Sequence, residues 1–338
     1  MEVKIVEGIE NIDVAKWDGF VRSHPAGNSF QMPGMYRVFE STVNYRPYVV
    51  ACIAGNGDVK GVMLGARICN GKGVFCSMTA RVIVWGGPLA HDDDPDHISL
   101  LIKTFSDLVR KDSVYCEIRN LRSPDENQKK IFAAHGFKYL PHLNIVVNVE
   151  NREQDLLRKL EPAKRRNLRK AQKEGLTFGR IMAEEEVDEI YDILKEVYRN
   201  AGVPLSDISL FRSLFRYLTG DAACRFYKVE YESQIIGVMV VLAHNDRLYE
   251  WYVGAREEFY PKRPNEFLVW NVMNEAANEG LRFFDFGGAG KPDEEYGVRN
   301  FKKGFGGEVI ETGRFNLVFK KVPWLMGNVA VKLIKMLK

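Results

Sequence analysis

The sequence predicts an α/β protein with mixed, α+β-type sheets, built as two domains of similar plan. Three observations carry this. The chain has 338 residues, enough for two domains of ordinary size. Short β-rich runs alternate with segments of helical period along its length. The sequence also echoes itself: Val59-Lys60-Gly61-Val62-Met63-Leu64 is matched by Ile235-Ile236-Gly237-Val238-Met239-Val240, and Tyr115-Cys116-Glu117-Ile118 by Phe283-Phe284-Asp285-Phe286. The two pairs lie 176 and 168 positions apart, in the same order and at nearly the same spacing, as a duplicated unit requires.

Taken in order, residues 11–23 and 33–43 read as short helices around His24-Pro25-Ala26-Gly27. Residues 46–54 and 58–68 read as strands joined by the Asn56-Gly57 hairpin signal. Strands are expected at 73–78 and 81–85, a helix at 97–110, a strand at Val114–Ile118, a helix at 125–134 and a strand at 143–149. A boundary is placed near 150, giving domains 1–150 and 151–322 and a terminal helix 323–338. Helices are expected at 184–200, whose Arg199 is a candidate substrate-binding residue, and at 206–218. Strands follow at Arg225–Tyr231, Ile235–Ala243 and Arg247–Val253, then a helix at 265–279 and strands within 308–320. A cleft between two such domains is the expected ligand location.

Hydrophobic content of 46% and aromatic content of 12% support sizeable cores, and a net charge of +3 does not by itself demand nucleic acid or membrane. The start, MEVKIVEGIE, has neither a basic n-region nor an apolar h-region, so no signal peptide is predicted. No apolar run of about 18 residues exists to span a bilayer. The five cysteines are scattered without C-x-x-C spacing, and they read as reduced thiols of a cytoplasmic protein. No histidine has ligand spacing. The run Asp92-Asp93-Asp94-Pro95-Asp96 starts a helix rather than a metal site.

Two segments carry local charge. In 151–175, Leu157, Leu160, Ala163 or Lys164, Leu168 and Ala171 fall at helical spacing as one buried stripe, while Lys164, Arg165, Arg166, Arg169, Lys170 and Lys173 form a basic face. That face is either a solvated helix surface or a grip for phosphate. The tail Pro323–Lys338 combines Trp324, Leu325, Met326, Val329, Leu333, Ile334 and Leu337 with Lys332, Lys335 and Lys338. It either packs on its domain or lies on an anionic membrane surface.

The stretch 281–311 stands apart. The apolar run Leu281–Phe286 reads as a buried strand. Gly287, Gly288 and Gly290 follow, then a polar loop, then Phe301-Lys302-Lys303-Gly304-Phe305-Gly306-Gly307. So many glycines in one loop are costly to order. Either the loop is a tight turn with solvated lysines or it approaches something closely. The first half of the chain has no counterpart to these loops.

The order F-D-F-G-G, a short loop, then V-R-N-F-K-K-G-F-G-G resembles the C-terminal signature of the FemAB family, peptidoglycan-bridge aminoacyltransferases built from two GNAT-like domains. K-R-R-N-L-R-K-A-Q-K-E-G-L resembles the segment opening their second domain, and Phe30-Gln31 fits an early F-Q feature. The resemblance implies tandem GNAT-like domains and transfer of an acyl or aminoacyl group onto an amine. With no G-x-S-x-G elbow and no Cys–His pairing, direct attack is expected rather than an acyl-enzyme.

The resemblance makes Lys302 the cation that stabilises the carbonyl oxygen. Asp285, ending a strand among aromatics, is either an acceptor for the glycine turn or a general base. Glu250 lies on the strand where many GNAT enzymes place a base, and Tyr252 shares its face by alternation. Arg299 can hold a phosphate, Phe301 can stack or pack, and Lys303 is the neighbour most easily mistaken for Lys302. Gly287 and Gly288 border the substrate, and Arg37 stands in for a diphosphate-binding basic residue with no clear equivalent here. Arg165, Arg166, Arg169, Lys262 and Arg263 are the anion-binding set for the donor.

No tightly bound cofactor or metal is expected. The donor is aminoacyl-tRNA or, less favoured, acyl-CoA, because the loop 256–264 lacks the glycines of a Q/R-x-x-G-x-G/A motif. The expected acceptor is a nucleotide-linked or lipid-linked muropeptide precursor of the cell wall. The rival readings are a GNAT N-acyltransferase acting on a sugar amine or small metabolite, and a non-catalytic duplication that binds nucleotide-sugar or tRNA.

Overall fold

The computed structural model describes residues 3–69, 74–150, 153–220 and 223–327. β1 (Val3–Glu7), α1 (Val14–Ser23) and α2 (Pro33–Glu40) precede the hairpin of β2 (Tyr45–Ala54) and β3 (Val59–Ile68). Then come α3 (Val74–Thr79), β4 (Arg81–Trp85), β5 (Leu89–Ala90), α4 (Pro95–Arg110), β6 (Tyr115–Arg119), α5 (Glu126–Ala134) and β7 (Lys138–Leu140). The second half opens with β8 (Leu143–Asn148), α6 (Glu153–Lys159), α7 (Pro162–Lys173), β9 (Thr177–Arg180), α8 (Val187–Ala201) and α9 (Ile208–Leu218). β10 (Cys224–Tyr231), β11 (Gln234–His244), β12 (Arg247–Ala255), α10 (Pro264–Asn278), β13 (Phe283–Gly288), α11 (Gly297–Lys303), β14 (Glu308–Glu311) and β15 (Arg314–Val318) complete it.

The chain divides into two compact units, one of residues 1–141 and 312–338, the other of 142–311. Each holds one mixed sheet. The first has the order β1-β2-β3-β4-β6-β15-β7, with β5 also on β3; the second has β14-β8-β13-β12-β11-β10-β9. In each sheet one parallel pair, β4 with β6 and β12 with β13, sits among antiparallel neighbours. The duplicated plan is therefore real: β2-β3-β4-β6 repeats as β10-β11-β12-β13. The expected boundary at 150 is displaced, because β8 pairs with β13 and β14 while β15 pairs with β6 and β7. Each sheet takes one strand from beyond the expected boundary.

Local chemistry explains the elements that matter. Asp94 caps α4 by accepting from the amides of Asp96 and His97, with Pro95 at the first helical position, as the acidic run predicts. Ile98, Leu101, Ile102, Phe105 and Val109 then face β2 and β3. In the second unit, α10 buries Phe267, Trp270 and Met273 against Tyr227, Phe284 and Phe286 of the sheet. Gly57, at positive φ, turns the predicted hairpin.

Several expectations fail. Of the strand expected at 73–78, the described residues are helical, in Val74–Thr79. Cys69 and Cys76, with Cα atoms 5.1 Å apart, form a disulfide, whereas Cys52, Cys116 and Cys224 are buried thiols as expected. The edge strands β1, β7 and β9 are too short or too polar for the period-2 pattern to reveal. Of the terminal helix, residues 321–327 are helical and expose Val322, Leu325 and Met326; residues 328–338 lie outside the described residues, and so does most of the membrane expectation.

Candidate active site

The site forms where two parallel strands part. β12 and β13 pair only through Arg247–Tyr249 and Phe283–Asp285, although β12 runs to Ala255 and β13 to Gly288. On the other side of β12, Val240 faces Tyr252 and Val241 faces Glu250, so Trp251 is an extra, bulged residue. β13 loses register with β8 between Asp285 and Gly288, and Gly287 turns at φ +65°. A side chain at Gly287 would press on the Tyr249 hydroxyl, which explains the glycine. The carbonyls of Phe286 and Gly288 flank this break in register.

Lys302 fills that gap. Its ammonium donates to the carbonyl oxygens of Phe286 and Gly288, the latter at 3.2 Å, and pairs with Glu250 Oε1 at 3.4 Å. Lys302 is 8% exposed and Glu250 7%. Three acceptors match the three N–H groups of an ammonium. Burial pushes the Glu250 carboxyl up, with Asp285 adding to the rise and Lys302 opposing it. Tyr198 on α8 neighbours Glu250, and burial together with that carboxylate holds its phenol well above the ordinary range.

Asp285 is fully buried. One oxygen accepts from Gly287 N at 2.8 Å, and the other from Arg247 Nη1 at 3.1 Å. Burial raises its pKa, against the pull of Arg247 and the Gly287 amide. Of the two roles the sequence left open, the geometry matches the acceptor that fixes the glycine turn. Arg247 was not singled out in the sequence; its only signal was its position two residues before Tyr249 at the start of the strand.

The other candidates separate. Arg299 is not open to a phosphate: Nε donates to Ala289 O at 2.8 Å, Nη1 to Pro292 O at 3.3 Å, and Nη2 to Lys291 O. It splints the loop after β13 through three of that loop's carbonyls. Gly288 is exposed beside His142. Tyr252 is buried, its hydroxyl 2.9 Å from Ser206 Oγ and its ring against Phe211 and Tyr198, so it packs rather than presents an open wall. Lys303 and Arg199 are exposed, and Arg37 is exposed on α2 of the first unit.

The anion-binding set also splits. Lys262 is taken up by Glu174 at 2.8 Å and by the face of Tyr231 at 3.9 Å. Arg263 adopts a left-handed conformation at the start of α10, and its Nε is buried. Arg165, Arg166 and Arg169 do come together: with Arg158, Glu153, Leu157 and Pro162 they line an open groove on α6 and α7.

The motif glycines are explained by close packing. A Cβ at Gly304 would lie 2.9 Å from Lys164 Cε, one at Gly306 2.7 Å from Lys159 O, and one at Gly307 2.5 Å from Ile145 Cγ2. Phe301 and Phe305 pack edge to face, and Phe301 lies under the Lys164 ammonium. The expected loop at 297–303 is helix α11. The F-K-K-G-F-G-G segment therefore ends α11 and turns in close contact with Lys164, Lys159 and Ile145.

The first unit has no such gap. β4 and β6 pair along their full length, from Arg81 with Tyr115 to Trp85 with Arg119, and Gly86 N extends the ladder to Arg119 O. Where β3 and β4 separate, Gln31 of the F-Q pair donates to Leu64 O and Trp85 O and accepts from Leu64 N, at 2.8–2.9 Å. Glu117, the counterpart of Asp285, is partly buried, and Arg119, Arg314 and Arg81 together hold its pKa down against the opposing effect of burial.

Comparison with known proteins follows the same lines. Residues 162–303 match the model of an acetyltransferase (GNAT) domain. That domain and the two sheets define the class: an acyltransferase of tandem GNAT fold. Among solved structures, the chain is similar to FemX, at 16% identity with a TM-score of 0.72, covering 95% of this chain and 99% of that one. The FemAB resemblance is thus borne out at the level of fold. A tandem GNAT protein from the clavulanic acid biosynthesis pathway is similar at 15% identity and a TM-score of 0.62, covering 94% and 99%. L-PGS from Bacillus licheniformis is similar at 14% identity and a TM-score of 0.60, covering 94% and 96%. No curated protein sequence matches the chain.

Proposed function

We propose that the protein transfers an acyl or aminoacyl group from an activated donor to an amine of a cytoplasmic cell-wall precursor by direct attack. One observation carries the reading: a buried Lys302–Glu250 pair occupies the gap where β12 and β13 diverge. The neutral amine attacks the donor carbonyl and a C–N bond forms. Glu250 takes the proton from the new ammonium. Its negative charge then no longer balances Lys302, and the lysine's field falls on the developing oxyanion. Collapse of the intermediate breaks the donor's C–O or C–S bond, and the leaving atom takes the proton back from Glu250. The raised pKa of Glu250 suits both transfers.

The favoured donor is aminoacyl-tRNA, whose phosphates fit the arginine groove of α6 and α7. The acetyltransferase domain match favours a second reading, acyl-CoA as donor. Against it, the start of α10 lacks a glycine loop, and Glu266 in its first turn is a carboxylate where a diphosphate needs cations.

The test is an assay of purified protein with aminoacyl-tRNA or acyl-CoA and a UDP-linked or lipid-linked muropeptide, with products weighed by mass spectrometry. A mass increment of one residue on the peptide stem is expected. Lys302→Gln should lower the rate by about two to three orders of magnitude. Undiminished transfer by a folded Lys302→Gln protein removes the mechanism; no product with any donor favours a binding protein.

A further inference from the structure

We propose that Lys164, one turn into α7, is the positioning residue that holds Lys302 at its station, acting through the ring of Phe301. This rests on the role given to Lys302 above, but the placement itself can be tested without turnover.

Lys164 is unlike the other basic residues of its helix. Arg165, Arg166 and Arg169 line the groove, whereas the Lys164 side chain is only 11% exposed. Its ammonium lies 3.3 Å from Glu266 Oε1 on α10, which also accepts from Asn167 Nδ2 at 2.9 Å. The same ammonium sits 3.5 Å from the centroid of Phe301 and 5.1 Å from that of Phe305. Its methylene stem fills the space that a side chain at Gly304 would need. Residues on both sides of Lys302 therefore rest on one cation: Phe301 before it, Gly304 and Phe305 after it. The backbone adds a second pin, Glu161 N to Gly304 O at 2.9 Å.

A buried ion pair is not needed merely to stabilise this contact. Apolar side chains of the same volume do as well or better in such places. What a cation over a ring face supplies is a fixed place for the ring. Phe301 and Lys302 are adjacent on a helix of only seven residues, so a shift of the ring moves the lysine. The ammonium of Lys302 has three short-range acceptors to meet, and a displacement of about 1 Å is enough to cost two orders of magnitude in rate.

The double variant Lys164→Met/Glu266→Gln removes both charges and leaves no unpaired ion in the core. Lysine labelling with a small acylating reagent, read by mass spectrometry, reports how well Lys302 is shielded; exposed Lys103 and Lys195 serve as references. We expect labelling of Lys302 to rise several-fold in the double variant, with the references unchanged and the melting temperature near that of wild type. Lys164→Arg, which keeps a cation over the ring, should retain the shielding. In transfer assays the double variant should lose about a hundredfold in kcat with KM unchanged. Unchanged Lys302 labelling in a folded double variant overturns the proposal. Increased labelling with full activity would uphold the positioning and instead sink the catalytic role of Lys302.

Discussion

Removing either partner of the buried Lys302–Glu250 pair strips an ion of its counter-charge. Stripping the cation from a buried pair leaves an uncompensated carboxylate, at a cost of about 3–5 kcal/mol. A rate loss at Lys302 must therefore be measured on protein shown to be folded. Glu250 also sets a pH dependence whose sign is fixed. Its folded-state pKa is raised above the ordinary 4.5, first by burial. As pH rises through that window, the unfolded chain releases the proton before the folded one does. The folded state then binds more protons, and stability falls with pH. Urea unfolding from pH 4 to 8 should show wild type losing stability relative to Glu250→Gln as pH rises; the opposite slope would mean the carboxyl is ionised throughout. Sequence reading, through the family resemblance for Lys302 and Glu250 and through residue chemistry for Asp285, picked out these three. It did not show that Lys302 meets Glu250, 52 positions away, or that Arg299 is spent on backbone carbonyls.

At the scale of elements, helical period located α4, α8 and α9, because each carries a broad apolar stripe, and the long apolar segment of α10 was legible as a helix that is buried on most of its faces. It missed α11, whose seven residues include one glycine and lie next to a glycine cluster. That helix is stabilised by what it packs on, the 159–164 segment, rather than by its own composition. The basic face of α7 divides: Lys164, which helical spacing left as an alternative to Ala163 on the buried stripe, turns inward to Glu266, while Arg165, Arg166 and Arg169 line the groove with Arg158. If the groove holds RNA phosphates, Arg165→Ala/Arg166→Ala/Arg169→Ala should weaken tRNA binding. The slope of log affinity against log salt should also fall by about 2, from roughly 0.7 per phosphate contact. Filter binding over a KCl series measures both, and an unchanged slope would assign these arginines to the solvated surface.

The first unit is completed by a strand that follows the second unit in sequence. β15 lies between β6 and β7, and Phe315 stacks on Phe132 with centroids 4.0 Å apart. A chain ending at residue 311 lacks that strand, so it should lose the first unit's cooperative unfolding transition, seen by circular dichroism or calorimetry. A native-like transition in that truncation would show β15 to be an accessory. Periodicity and the internal echo were enough to predict two mixed-sheet units, since burial of alternate side chains writes itself into sequence locally. The glycine cluster likewise signalled close approach before the neighbour was known. Strand exchange, the gap between β12 and β13, and the neighbours that raise the Glu250 pKa depend on contacts between residues far apart in the chain. No local pattern encodes those contacts, and only the packed structure decides them.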